Sequence, residues 1–234
     1  MCQKLVNCSW QIKRRANHFI KSCPNGQLFL LVTPWYIRPM ESPKTYVFFG
    51  IVGAGKGTQV ELLKKLMAER DARKIVYAYP GSEYRALTSG DSFTGSIVKA
   101  KLERGELQPD FLTVSVFTSI LVKELTADCH LIADGYPRTV AQEEAFTSAM
   151  DFYGRKNVEI VYIEVSKEEV IARMKLRGRS DDTDEGITRR FFEYETHVIP
   201  AMQAMKAKGF TLHTINGAQP IEAVHADIKK ALGF

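Results

Sequence analysis

After residue 44 the apolar positions fall into two alternating periods. Thr45-Tyr-Val-Phe-Phe49 is a short β-branched and aromatic run between Pro43 and Gly50, which predicts a strand. From near Lys56 the spacing becomes helical and continues through Val60, Leu63 and Met67. Lys74–Tyr79 predicts a second strand, ended by Pro80-Gly81. Helical patterns cover 84–104 and 111–127. Leu131–Asp134 reads as a short buried strand, followed by a helix over 140–153. Val158–Val165 is a strongly apolar strand, with helices over 167–176 and 184–207 after it. Phe210–Ile215 is a last strand and Ile221–Leu232 a closing helix. Strands that alternate with helices argue an α/β fold of three αβα layers around a parallel sheet.

The chain has 234 residues, enough for one large domain with an appendage. Apolar residues make up 45% and charged residues 25%, as in an ordinary globular protein, which excludes collagen-like and disordered classes. The longest apolar run, Leu28–Val32, is far short of the roughly 18 residues that span a bilayer, so no membrane partner is expected. The net charge of +5 is uneven. Lys4, Lys13, Arg14, Arg15, Lys21 and Arg38 precede residue 41, where there is no Asp or Glu. Without them basic and acidic residues nearly balance, so a basic face for nucleic acid is not expected.

Residues 1–40 also hold both Trp and three of the four Cys. Their basic, acid-poor composition fits an organelle transit peptide, although Ser is sparse. A secretory signal fits less well, because Pro34 interrupts the apolar stretch and no small-residue cleavage site follows. The plainest reading is an upstream extension, with the domain over 41–234; a partner or membrane-surface segment is the third. Only Cys129 lies beyond residue 40, so no disulfide can form within the domain, which points to a reducing, cytoplasmic setting. If residues 1–40 are a transit peptide, the setting is a mitochondrion or another organelle.

Gly50-Ile-Val-Gly53-Ala54-Gly55-Lys56-Gly57-Thr58 stands between a strand and a helix. Glycines there let successive backbone N–H groups turn inward on phosphate oxygens, and the helix N-terminus adds its positive end. Lys56 supplies a mobile charge for the β- and γ-phosphates. A glycine turn serving only strand–helix packing would need neither Lys56 nor Thr58. In the general loop Ser or Thr follows the Lys directly; here Gly57 intervenes.

The Gly-Lys-Gly-Thr-Gln variant resembles that of nucleoside monophosphate kinases, adenylate kinases above all. Asp134-Gly135-Tyr-Pro-Arg138-Thr139, with Gln142, is similar to a second block of that family, and Arg173-x-x-x-Arg177-Gly178-Arg179-Ser-Asp181-Asp182 with Arg190 to its closing lid. The resemblance covers about residues 45–232. It implies a phosphate-loop fold with a helical acceptor-binding insertion over about 80–110 and a short lid over about 173–190. It implies transfer of the ATP γ-phosphoryl group to AMP, giving two ADP, with Mg²⁺, by a monomer. A pyrimidine monophosphate kinase for UMP, CMP or dTMP, and a weakly catalytic nucleotide-binding regulator, are the alternatives.

Residue roles follow from the same resemblance. Gly53, Ala54, Gly55, Lys56, Gly57 and Thr58 would hold ATP phosphates, and Arg173 would lie on the donor adenine. Gly81, Arg85, Leu107, Gly135, Arg138 and Gln142 would hold AMP, Gln142 at the adenine edge. Lys56, Arg138, Arg177, Arg179 and Arg190 would converge on the transferring phosphate, with Arg179 and Arg190 also on the AMP side. Asp134 would hold Mg²⁺ or its water shell, and Asp181 and Asp182 would orient the arginines. Tyr79-Pro80-Gly81-Ser82 departs from the family's Ser-Thr-Gly-Asp, and only Gly178 separates Arg177 from Arg179, so the lid is unusually short. It carries no Cys or His, so no zinc site is expected there.

Overall fold

The computed structural model describes residues 42–178 and 183–234, and within the first forty the backbone of three strands. The chain divides into two units, Met1–Ser42 and Pro43–Phe234. In the first, β1 (Arg14–Arg15), β2 (His18–Ser22) and β3 (Leu28–Leu31) form an antiparallel meander.

The second unit is built on five parallel strands in the order β5-β6-β4-β7-β8. These are β4 (Thr45–Phe49), β5 (Ile75–Ala78), β6 (His130–Asp134), β7 (Val158–Glu164) and β8 (Thr211–Asn216). β4 is central and every residue of it is buried. Its side chains alternate: Tyr46 and Phe48 enter one core, Val47 and Phe49 the other. A strand covered on both faces must be apolar throughout, which explains the unbroken Tyr-Val-Phe-Phe run.

Helices α1 (Lys56–Arg70) and α9 (Ile221–Ala231) bury Val60, Leu63, Met67, Val224 and Ile228 on the first face. On the other, α4 (Asp110–Glu124), α5 (Val140–Phe152) and α8 (Ile199–Ala207) contribute Phe117, Leu121, Phe146, Met150 and Met205. The strand boundaries match the apolar runs to within about a residue or two. No described helix is long and apolar enough to cross a membrane.

Two helical stretches differ from the periodicity. The pattern over 84–104 is two helices, α2 (Pro80–Thr88) and α3 (Phe93–Glu103). Ser92 caps α3, its hydroxyl accepting from the Gly95 N–H at 2.9 Å, a contact worth about 1 kcal/mol. Gly95 permits close packing on α2, because a Cβ there would collide with the Leu87 carbonyl. The first helix starts at Pro80 rather than Tyr84, since a proline fits the first helical turn where its N–H is not needed.

The pattern over 184–207 is continuous but not uniform. It comprises α7 (Asp184–Glu193), a π-helical turn (Tyr194–Val198) and α8. Pro200 cannot donate, and its ring would press on the carbonyl four residues earlier. The wide turn ahead of it relieves that clash and re-aims Glu193 and Tyr194. α6 (Lys167–Arg177) precedes this run, capped by the Ser166 hydroxyl.

Candidate active site

The loop after β4 has the backbone that its glycines foretell. Gly50, Gly53 and Gly55 have φ of 144°, 94° and 93°. A Cβ on Gly50 would lie 2.7 Å from the Ile163 carbonyl oxygen, and one on Gly53 2.9 Å from Met174. Gly55 ends the loop in the left-handed region as the N-cap of α1. That helix has no acidic residue in its first turn and no side-chain cap, so its positive end is left to an anion. The Lys56 ammonium donates to the Gly50 and Ile51 carbonyls at 2.7 and 3.1 Å, folded back along the loop.

Beside the loop lies a cavity of about 640 Å³. Gly50 and Lys56 line one side. Gly81, Arg85, Leu107, Gly135, Arg138, Gln142 and Arg190 are among the residues that line the rest. The fold thus gathers the loop lysine, three arginines and the candidate base-reading glutamine around one space. Among the described residues its wall holds no His or Cys.

The arginines are held in different ways. Arg138 follows β6, and its Nε donates to the Gly135 carbonyl at 2.8 Å. Gly135 has φ 65°, and a Cβ there would lie 2.8 Å from the Arg138 guanidinium, so a side chain would be strained and would push the guanidinium aside. Arg85, on α2, sits 5.1 Å over the Tyr79 ring and donates to its hydroxyl at 3.3 Å. Arg190 stands on α7 near Gly105, whose own Cβ would lie 2.7 Å from the Gly186 carbonyl oxygen. The Gly105 turn and α7 therefore touch backbone to backbone.

Gln142 is buried and anchored. Its Oε1 accepts from the Arg138 N–H at 2.9 Å, and its Nε2 donates to Asp110 Oδ1 at 2.8 Å. The same Asp110 oxygen accepts from the Thr139 hydroxyl at 2.8 Å. One N–H and one lone pair of the amide remain for a ligand. Asp134 is buried next to Gly135; Tyr77 donates to its Oδ2 at 2.8 Å. Burial, then the Asp134 charge, pushes the Tyr77 phenol well above its ordinary value, so it stays a donor.

Other expected residues fall elsewhere. Gly53, Ala54, Gly55, Gly57 and Thr58 belong to the loop and the start of α1 but not to the cavity wall. Arg173 lies outside the cavity: its Nε donates to Glu169 at 2.7 Å and its Nη2 to the Gly217 carbonyl at 2.9 Å. Arg179, Asp181 and Asp182 lie outside the described residues, as does the side chain of Arg177. Tyr77, Tyr84, Asp110 and Glu193 escaped the sequence reading. Tyr84 and Glu193 face the cavity, while Tyr77 and Asp110 act on residues around it. Asp110 had one visible signal, its place directly after Leu107-Gln-Pro109; the others sit in apolar or charged periodic runs.

A glycine loop after the central strand of a parallel sheet, opening on a cleft walled with arginine, defines a phosphate-loop nucleotide-binding protein. Comparison with known proteins narrows the class. The family model described as adenylate kinase matches residues 48–210. The adenylate kinase of Thermus thermophilus is 33% identical over 199 residues, covering 83% of this chain and 100% of that protein. That of Leptospira biflexa is 32% identical over 195 residues, covering 81% and 100%. That of Bacillus subtilis is 29% identical over 220 residues, covering 80% and 97%. The chain belongs to the adenylate kinase family.

Proposed function

We propose that the protein transfers the γ-phosphoryl group of ATP to AMP, giving two ADP. The observation that carries this reading is the single cavity shared by Lys56 of the loop and by Arg85, Arg138 and Arg190. A phosphate oxygen of AMP attacks the γ-phosphorus. The bond from that phosphorus to the β–γ bridging oxygen breaks, and the bridging oxygen leaves with ADP. The attacking oxygen is already anionic, so no side chain has to take a proton. Positioning and charge neutralisation are the protein's whole task.

In this reading the loop N–H groups from Gly53 to Thr58 cradle the ATP phosphates. Lys56 swings from its carbonyl contacts to the β- and γ-phosphates. Arg85 and Arg138 bind the AMP phosphate, Arg138 through a fork suited to two oxygens. Arg190, with Arg177 and Arg179 of the lid, neutralises charge on the group in flight, and Asp181 and Asp182 orient those arginines. Gly81 and Leu107 border the AMP, and the remaining N–H and lone pair of Gln142 read the base. Arg173 lies on the donor adenine, in front of the loop that carries Gly217.

Mg²⁺ fits the residues present. Asp134 and Thr58 offer hard oxygen donors, and the buried Asp134 Oδ1 accepts no hydrogen bond among the described residues. The ion, when bound, neutralises β- and γ-phosphate charge. In this reading the protein acts as a monomer. The buried, unpaired Cys129 suits a reducing setting, the cytoplasm.

The test is ADP formation from ATP and Mg²⁺ with AMP, UMP, CMP and dTMP in turn. AMP turnover at least tenfold above the others is expected. Preference for a pyrimidine would overturn the acceptor assignment, and binding without turnover would overturn the reaction.

A further inference from the structure

Asp134 presents two unequal oxygens. Oδ2 receives the Tyr77 phenol at 2.8 Å. Oδ1 is buried, yet no described group donates to it. A buried carboxylate oxygen is normally satisfied, so a bare one marks a place where a ligand completes the shell.

The sheet explains why Tyr77 is the donor. Tyr77 pairs with Ile132 across β5 and β6. Asp134 lies two residues further along, on the same face as Ile132. Two residues of strand rise about 6.6 Å, close to the length of a tyrosine side chain laid along the sheet. A phenylalanine there would have the same shape but nothing to donate.

The ring is also held in place. It stacks on Tyr79 with centroids 5.8 Å apart at 24°. The Lys64 ammonium lies 5.0 Å from its centroid.

We propose that Tyr77 is a positioning residue for the metal end of the site. It pins one oxygen of Asp134, fixes the carboxylate plane, and leaves Oδ1 to a water of the metal–ATP complex. This inference rests on the reading that ATP and Mg²⁺ occupy the loop after β4. Partners that orient a metal-side carboxylate typically change metal affinity by about 10–100-fold when removed.

The experiment is an electron paramagnetic resonance titration of Mn²⁺, a visible stand-in for Mg²⁺, into the protein–ATP complex. Tyr77→Phe is expected to weaken Mn²⁺ affinity about tenfold. Its ATP affinity in EDTA is expected to stay within about twofold of the unsubstituted protein, a split that general structural damage would not produce. Asp134→Asn is expected to weaken Mn²⁺ binding at least as much, and Tyr77→Phe placed on top of it to add nothing. Unchanged Mn²⁺ affinity in Tyr77→Phe, equal losses with and without metal, or additive losses in the double variant would each overturn the proposal. Failure of the unsubstituted protein to bind Mn²⁺–ATP would instead overturn the function reading beneath it.

Discussion

Arg138 and Gln142 hold each other: the Arg138 N–H donates to Gln142 Oε1 at 2.9 Å, while the other end of that amide rests on Asp110. The arginine proposed to bind the AMP phosphate and the glutamine proposed to read the base are thus parts of one frame. Asp110 also takes the Thr139 hydroxyl, which in turn caps α5. Hydrogen bonds to a charged acceptor are worth about 1.5–3 kcal/mol. Asp110→Ala should therefore raise the KM for AMP by at least about tenfold and leave the KM for ATP within about twofold. Steady-state kinetics with each nucleotide varied in turn check this; equal changes in both would contradict the frame.

The Lys56 ammonium donates to the Gly50 and Ile51 carbonyls of its own loop. In the proposed reaction its charge acts on the phosphates. Lys56→Ala should lower kcat by about 10²–10³-fold, as loss of one transition-state charge contact does. Near-normal turnover would remove Lys56 from the mechanism.

Gly105 has φ 70°, and its missing Cβ makes room for the Gly186 carbonyl oxygen 2.7 Å away. Gly105→Ala would meet both obstacles at once. The left-handed backbone alone costs about 1–2 kcal/mol for a residue with a Cβ. Urea unfolding should show at least that loss, and displacement of α7 should weaken AMP use more than ATP use. A variant as stable as the parent would show that the two segments do not meet as described.

His130 and Asp71 give the protein an acid-sensitive corner. The Lys44 N–H donates to His130 Nδ1 at 2.9 Å, so the ring proton sits on Nε2 and is donated to Asp71 at 3.0 Å. Burial pushes the His130 pKa down despite the opposing carboxylate. The Arg73 side chain, foremost, holds Asp71 below the usual carboxylate range. Both shifts mean that the unfolded chain binds a proton more readily than the folded one, so stability falls as pH falls. The His130 share is lost below about pH 6.5, and the Asp71 share below about pH 4. His225, also pushed down by burial, adds to the first window. Denaturant unfolding at pH 7.5, 6.5 and 5.5 should show a shallower decline in His130→Gln than in the parent. An unchanged slope would contradict the assignment.

Strand positions and the phosphate loop were legible because their causes are local. Apolar runs make the β4 and β7 strands, and the Gly50–Lys56 spacing makes the cradle. The break between α2 and α3 was hidden, because helical periodicity over 84–104 continues across Ser89–Ser92 while the packing of Gly95 on Leu87 depends on tertiary approach. The π turn at Tyr194 was hidden for the same reason: Pro200 announces a disturbance but not its form. Motif spacing singled out Arg85, Arg138 and Arg190, which line the cavity. Tyr77 and Asp110 could not be read from it, since each acts through a partner at least 29 residues away, Asp134 for one and Thr139 and Gln142 for the other.

The central claim is that Lys56 and the facing arginines hold two nucleotides phosphate to phosphate in one cavity. Titration calorimetry with two adenosines joined through five phosphates tests it most directly. The account predicts one mimic per chain, bound more tightly than ATP or AMP, and displaced by either only at large excess. Absence of binding, or two mimics per chain at independent sites, would contradict it.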